Sequence, residues 1–70
     1  MNPSLRSMNN DYLIEYVYLG TPMSVITSDL YYAVSVFRNY EGDSSSGVTE
    51  ATLTLINNKA KVTVLKRFKR

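Results

Sequence analysis

Two stretches of strict alternation in the last third of the chain constrain its fold more than any other sequence feature. In ATLTL and again in AKVTV, every second residue is apolar. The apolar positions are Ala51, Leu53, Leu55, Ala60, Val62 and Val64. A period of two is typical of a β-strand that buries one face. Two such strands in succession predict a C-terminal antiparallel β-hairpin over residues 48–69.

The sequence also predicts where this hairpin turns. Asn57 and Asn58 lie between the two strands, and asparagine tolerates the positive φ that a two-residue type I′ turn requires. In the register set by that turn, three apolar pairs face each other: Leu55 with Ala60, Leu53 with Val62, and Ala51 with Val64. A slip by one residue would bring Lys61 or Thr63 opposite these side chains, so pattern and turn agree.

The first clear strand is YLIEYVYL, residues 12–19, which is rich in aromatic and β-branched residues. Tyr12, Tyr16 and Tyr18 share one face. The opposite face is also largely apolar, so we expect both faces to be partly covered. The GTP stretch at residues 20–22 supplies a turn, and MSVIT after it is a short second strand.

Residues 29–41 are compatible with two structures. Apolar residues recur at the helical spacing i, i+3, i+4 and i+7, namely Leu30, Ala33, Val34 and Phe37. Ser28 is a suitable N-cap, and Gly42 is a suitable end. However, the segment is rich in Tyr, Val and Phe, whose ring or branched side chains lose rotamer freedom in a helix. We favour a strand here and keep the helix as the alternative.

The predicted fold is mainly β: an antiparallel meander of four or five short strands, with a small open barrel as its curled form, and a short N-terminal helical turn. Asn2 as N-cap and Pro3 as first helical residue indicate that turn; otherwise residues 1–10 are flexible. The alternative is an α+β fold, ββαββ, with residues 29–41 helical. We expect residues 1–70 to form a single small domain, because no linker, repeat or low-complexity tract divides the chain.

The small size of the chain predicts self-association. A domain of 70 residues hides only about 60% of the surface that its unfolded chain exposes. The sequence has no cysteine and no histidine, so neither a disulfide nor a Cys/His zinc site can add stability. A four-stranded sheet with one wet face would leave part of its apolar surface in water. We therefore expect a homo-oligomer, a dimer or higher.

Nothing in the sequence predicts catalysis. Without histidine and cysteine, proton transfer would depend on the six acidic residues, and no pair of them has a spacing that forces proximity. No glycine-rich phosphate loop is present. The loop EGDSSSG contains hard oxygen ligands, but we interpret it as a solvated connection. We expect no enzyme, no catalytic residue, no metal and no cofactor.

Charge is distributed unevenly along the chain. Residues 1–58 carry two basic and six acidic side chains, a net charge of −4, and residues 59–70 carry six cations and no acid, a net charge of +6. The candidate partner-binding residues are this basic C-terminal end and the tyrosine face: Lys59, Lys61, Lys66, Arg67, Phe68, Lys69, Arg70, Tyr12, Tyr16 and Tyr18. The alternative is that the cations bind no partner and only keep the end of the last strand solvated. That alternative stays open.

Two functions follow from this pattern. The first is a small protein-binding module, of adaptor or inhibitor type, that uses a tyrosine-rich sheet surface and the basic end against an acidic protein partner, including a second copy of itself. The second is a low-specificity nucleic-acid binder, in which the cations contact phosphates and the tyrosines stack on bases. The longest apolar run, Leu30–Val34, is far too short to cross a membrane, and no secretory signal is evident. We expect a cytoplasmic protein without a membrane role.

Overall fold

A computed structural model describes residues 10–70 and shows a four-stranded antiparallel sheet covered by one helix. In chain order the elements are β1 (Asp11–Tyr18), β2 (Thr21–Thr27), α1 (Leu30–Gly42), a single 3-10 turn (Ser44–Ser46), β3 (Val48–Ile56) and β4 (Val62–Lys69). The strand order is β2-β1-β3-β4, and each neighbouring pair is antiparallel. The mainly β fold with four strands is confirmed. The predicted N-terminal turn at Asn2 and Pro3 lies outside the described residues.

The preferred interpretation of residues 29–41 as a strand is wrong, and the ββαββ alternative is correct. Asp29, not Ser28, caps α1: its carboxylate accepts a hydrogen bond from the Tyr32 amide at 3.1 Å. Ala33 and Phe37, one helical turn apart, are fully buried against the sheet. Burying a side chain such as Phe37 stabilises the fold by about 1.5–3 kcal/mol. A residue with low helix propensity destabilises the helix by at most about 0.7 kcal/mol relative to alanine. Packing therefore outweighs local preference.

The sheet is open, so the barrel form of the prediction is wrong. The helix carries the chain from β2 to β3, and β3 then pairs with β1, so the order also departs from a simple meander. β2 and β4 are consequently the two free edges of the sheet. One face of the sheet lies against α1, and nothing within residues 10–70 covers the other.

The β1–β2 turn lies one residue earlier than predicted. Leu19 and Gly20 both have positive φ, 49° and 84°, as a two-residue type I′ turn requires. The Leu19 amide also donates to the Gly47 carbonyl at 2.9 Å. Pro22 belongs to β2, where proline is tolerated because β2 is an edge strand.

The C-terminal hairpin is confirmed, but its predicted register is wrong. The turn comprises residues 57–61. The Asn57 side chain holds it by accepting hydrogen bonds from the amides of Lys59 at 2.8 Å and Lys61 at 2.9 Å. This longer loop, with a bulge between Lys66 and Val64, places Phe68 opposite Ala51 and Lys66 opposite Leu53. An asparagine that bonds its own following backbone favours such a loop over a two-residue turn.

The core lies between α1 and the sheet. Its buried apolar residues are Tyr12, Ile14, Ala33, Phe37, Val48, Ala51 and Leu53. Within β1 these are the even-numbered positions, so the tyrosine face of the prediction is the face that the helix covers. Among the described residues, no helix is long and apolar enough to cross a membrane.

Candidate partner-binding surface

Five cations follow one free edge of the sheet, and we call them the basic edge: Lys59, Lys61, Lys66, Arg67 and Lys69. The first two lie in the loop before β4, and the other three lie on β4 itself. All five side chains are exposed. Lys66 lies opposite Leu53 on the helix side of the sheet, whereas Arg67 and Lys69 lie on the other side. The basic edge therefore presents positive charge on both sides of a single strand.

Most of this charge is not neutralised within residues 10–70. The one ion pair in that range joins Lys69 Nζ to Glu50 Oε2 at 3.9 Å, with 81% and 44% of the two side chains exposed. An ion pair so open to water contributes little to folding. The outer backbone edge of β4 pairs with no other strand of the described chain. This surface therefore combines unpaired backbone groups with free positive charge.

Arg70 differs from the other predicted binding cations because the fold itself uses it. Its guanidinium donates hydrogen bonds to four carbonyl oxygens: Val48 at 3.0 Å, Glu41 at 3.2 Å, Asp43 at 3.4 Å, and Tyr40. Three of these carbonyls lie at the end of α1, where the helix dipole attracts a cation. The guanidinium carbon is also 4.8 Å from the centre of the Phe68 ring. Arg70 thus fastens the end of the helix to the end of the sheet.

Phe68 is also occupied within the fold. Its ring is half-buried and meets Phe37 of α1 edge to face, with 5.6 Å between ring centres. Ala51 is its neighbour on β3. Phe68 is therefore part of the rim of the core, and little of its ring is free for a partner.

The predicted tyrosine surface is divided by the helix. Tyr12 is buried, and Tyr16 packs against Tyr40 of α1 with 4.8 Å between ring centres. Burial raises the pKa of the Tyr40 phenol above its usual value, and the adjacent Tyr16 adds to the rise. Tyr18 is 42% exposed and contacts the loop at Gly47. None of the three predicted tyrosines lies on β4, so the structure does not bring them together with the basic edge.

Sequence reasoning missed two exposed surfaces. The first is the outer side of α1, where Tyr31 is 86% and Tyr32 51% exposed. A groove runs along this side between Leu30 and Asn39. Only a helical interpretation of the segment would have placed these tyrosines outside, because Ala33 and Phe37 define the inner side.

The second missed surface is the open face, the side of the sheet away from α1. Cross-strand neighbours share a face, so the pairing of β1 with β2 and β3 defines its members. The open face carries Asp11, Leu13, Glu15, Val17, Pro22, Ser24, Ile26, Glu50, Thr52, Thr54, Ile56, Val62, Val64, Arg67 and Lys69. The sequence signal for this face was the apolar character of Leu13 and Val17 in β1. From it we expected partial cover of this face, and no element within residues 10–70 provides that cover.

The serine-rich loop EGDSSSG has a structural role in the fold. Asp43 accepts hydrogen bonds from the Ser45 amide at 2.9 Å and the Ser45 hydroxyl at 2.6 Å, and so caps the 3-10 turn. These bonds hold the pKa of Asp43 below its usual range, and the charge of Arg70 adds to the effect. Within residues 10–70, no three histidine, cysteine or acidic side chains lie close enough together to hold a metal ion.

Comparisons with known proteins give no relative for this fold. Neither a scan against protein-family models nor searches of curated proteins and of solved structures found a match. What the chain can bind must follow from the position, exposure and charge of its own residues.

Proposed function

We propose that the protein is a small, non-enzymatic protein-binding module of adaptor or inhibitor type, and that its binding surface is the basic edge. The partner presents an acidic segment in extended conformation. The observation that supports this is the coincidence of five exposed cations with an unpaired edge strand. We propose the cytoplasm as the location, which the cysteine-free composition fits.

An edge strand binds an extended chain by adding it to the sheet. The free N–H and C=O groups of β4 supply main-chain hydrogen bonds, which contribute affinity without regard to sequence. Side chains of the added strand point alternately to the two sides of the sheet. Acidic residues on one side would meet Lys66, and those on the other would meet Arg67 and Lys69. The positions of the cations therefore select a partner with acids on both sides.

The same charges disfavour pairing of two β4 edges. In an antiparallel pair, like charges directly opposite each other are destabilising, and lysine on an edge strand is a common protection against aggregation. An acidic strand meets no such repulsion. The basic edge thus rejects a copy of itself while accepting an acidic segment, which is how electrostatic complementarity provides specificity.

The test is a titration with two labelled peptides of equal length, one repeating Glu-Glu-Val-Val, which places acids on both sides of an added strand, and the other repeating Lys-Lys-Val-Val. We expect the acidic peptide to bind and the basic peptide not to bind. The double variant Lys66→Glu/Arg67→Glu should weaken acidic-peptide binding by at least tenfold. Arg38→Glu, a charge reversal on the exposed side of α1, is the matched control and should leave binding unchanged. Equal weakening by both variants, or no binding by the unmodified protein, would refute the proposal.

Nucleic-acid binding stays the second candidate, because the same five cations suit phosphates. It receives less support, since Tyr12 is buried and Tyr16 is stacked on Tyr40, so neither ring can stack on a base. A salt series with a labelled oligonucleotide distinguishes the two functions. Phosphate binding would weaken linearly in log salt, with a slope of about 0.7 per contact on a single strand. We expect no detectable shift of the oligonucleotide even at low salt.

A further inference from the structure

The open face of the sheet has an apolar end and a charged end. The apolar end comprises the cross-strand neighbours Leu13, Ile26, Ile56, Val62 and Val64, which surround the buried Thr54, and Asp11 lies beside Ile56 at its margin. Ile26, Val62 and Val64 are 61%, 60% and 55% exposed. The charged end holds Glu15, Glu50, Arg67 and Lys69. A contiguous apolar area of this kind on a small soluble domain marks an interface.

The face reaches the lower limit of area for a specific dimer. Four strands spaced by about 4.8 Å make it roughly 19 Å wide, and about eight residues at 3.3 Å make it roughly 26 Å long. The flat footprint is therefore about 500 Å² on each copy, or about 1,000 Å² across a pair, before the relief of the side chains is added. Specific interfaces start at about 1,000 Å² in total.

The charges of this face favour a second copy over a strongly charged partner. Both signs are present, with Asp11, Glu15 and Glu50 on the two central strands and Arg67 and Lys69 on β4. Three acids against two cations leave the face nearly neutral, in contrast to the basic edge. A nearly neutral face with exposed apolar side chains fits a second copy, which presents the same apolar end, better than a strongly charged partner.

We infer that two copies of this chain pack open face to open face, about a two-fold axis that runs parallel to the strands. Sheets packed in this way lie about 10 Å apart with their strands nearly aligned. The axis places β1 over β3 and β2 over β4 of the second copy. Apolar end then meets apolar end, with Ile26 over Val64 and Leu13 over Thr54. Arg67 lies one strand spacing from Glu15 of the second copy, and the two Glu15 side chains lie the same distance from each other, so the apolar end supplies the attraction.

This dimer goes beyond the proposed function and shares Arg67 and Lys69 with it, because both side chains lie on the open face. The outer backbone edge of β4 points along the sheet and away from the packed faces, so a dimer would leave two such edges and both copies of Lys66 accessible. Ile26→Glu changes the open face without touching the basic edge, so failure of the dimer and failure of acidic-peptide binding are distinguishable.

Sedimentation equilibrium at tens of micromolar tests the dimer directly. We expect the unmodified protein to be dimeric. Ile26→Glu and Val64→Glu, each of which would bury a charge in the packed faces, should raise the dimer dissociation constant at least tenfold. The matched control is Tyr31→Glu, which changes an even more exposed apolar residue on α1 and should remain dimeric. A monomeric unmodified protein, or equal dissociation by the control, would overturn the inference.

A second measurement identifies the arrangement without changing the apolar end. The chain has no cysteine, so Met23→Cys on β2, an exposed position on the helix side of the sheet and outside the packed faces, gives a single site for a spin label. Labelled copies are mixed with isotopically labelled unmodified copies, and line broadening is measured on the latter. We expect broadening of the β4 amides near Arg67, since β2 lies over β4. Broadening confined to α1, or absent throughout, would contradict the two-fold arrangement.

Discussion

At the scale of single residues, Arg70 makes the most long-range contacts of any cation in the described chain. It joins β3, the end of α1 and the loop at Asp43, which are far apart in sequence. Hydrogen bonds from a charged donor are stronger than neutral ones, and the carbonyls at the end of a helix have few other partners. The residue therefore couples the C-terminal end of α1 to the sheet.

Removing this guanidinium should destabilise the fold. We expect Arg70→Ala to lower the free energy of unfolding by about 1–2 kcal/mol, since several charge-assisted bonds are lost at a partly exposed site. Urea unfolding followed by circular dichroism measures the change. Lys69→Ala is the neighbouring control, and because its ion pair is exposed it should cost less than about 0.5 kcal/mol. Equal losses in the two variants would show that the Arg70 contacts contribute nothing specific.

The lowered pKa of Asp43 predicts that the stability of the fold depends on pH. Its pKa is lowered in the folded protein by the bonds from Ser45, so its stabilising effect is present above its unfolded pKa and is lost as pH falls through the folded value. Asp43→Asn keeps an acceptor but removes the charge. We expect this variant to melt below the unmodified protein at neutral pH, with the difference shrinking below about pH 4. A difference independent of pH would contradict the assignment.

At the scale of elements, α1 and the sheet stabilise each other through a small core. Phe37 is 1% exposed, belongs to the same buried cluster as Ile14 and Leu53, and meets the Phe68 ring edge to face. Phe37→Ala should cost about 3–5 kcal/mol, which is a large part of the total stability of a domain this small. We expect the variant to lose its cooperative thermal transition. Tyr31→Ala on the outer side of α1 is the control and should melt within a few degrees of the unmodified protein.

The β-strands were predictable because their signal is local. The helix and the hairpin register could not be predicted, since they depend on packing and on side-chain hydrogen bonds. Alternation around Leu53 and around Val62 identified β3 and β4 without knowledge of the fold. The helix was ambiguous because its Tyr and Val residues favour strands in isolation, and only the burial of Phe37 decides the matter. The hairpin register was missed because the Asn57 side chain makes two backbone hydrogen bonds that a two-residue turn would lack.

The binding site was predictable only in part, for the same reason. The charge run identified β4 as a basic strand, and its exposure follows from its place at the sheet edge. The roles of Arg70 and Phe68 depend on where α1 ends, which alternation does not reveal. Tyr12 and Tyr16 were assigned to an exposed surface, but they lie under the helix. A period of two shows which residues share a face of the sheet and does not show which face is covered.

At the scale of the whole molecule, the fold separates two kinds of surface. The basic edge is charged, narrow and suited to an extended acidic chain, and the open face is broad, nearly neutral and suited to a second copy. The helix covers the remaining side of the sheet. A chain with a core of this size gains stability by covering the open face, and it keeps the outer backbone edge of β4 free for binding.

Dimerisation predicts that thermal stability depends on protein concentration. A partner that binds only the folded state stabilises it by mass action, so the melting temperature should rise as the unmodified protein is concentrated. Ile26→Glu should melt at a temperature that does not change with concentration. Differential scanning calorimetry over a wide concentration range measures both. A concentration-independent transition in the unmodified protein would contradict a dimer that contributes to stability.

The most direct test of the central claim is to map the bound acidic peptide on the protein by amide chemical shifts. Addition of the Glu-Glu-Val-Val repeat peptide should shift the amides of residues 62–69 and slow hydrogen exchange along the outer edge of β4, because the peptide forms a fifth strand there. The shifts should disappear in Lys66→Glu/Arg67→Glu and persist in Arg38→Glu. Shifts centred on α1 or on β2, or no shifts at all, would contradict the assignment of the basic edge as the binding surface.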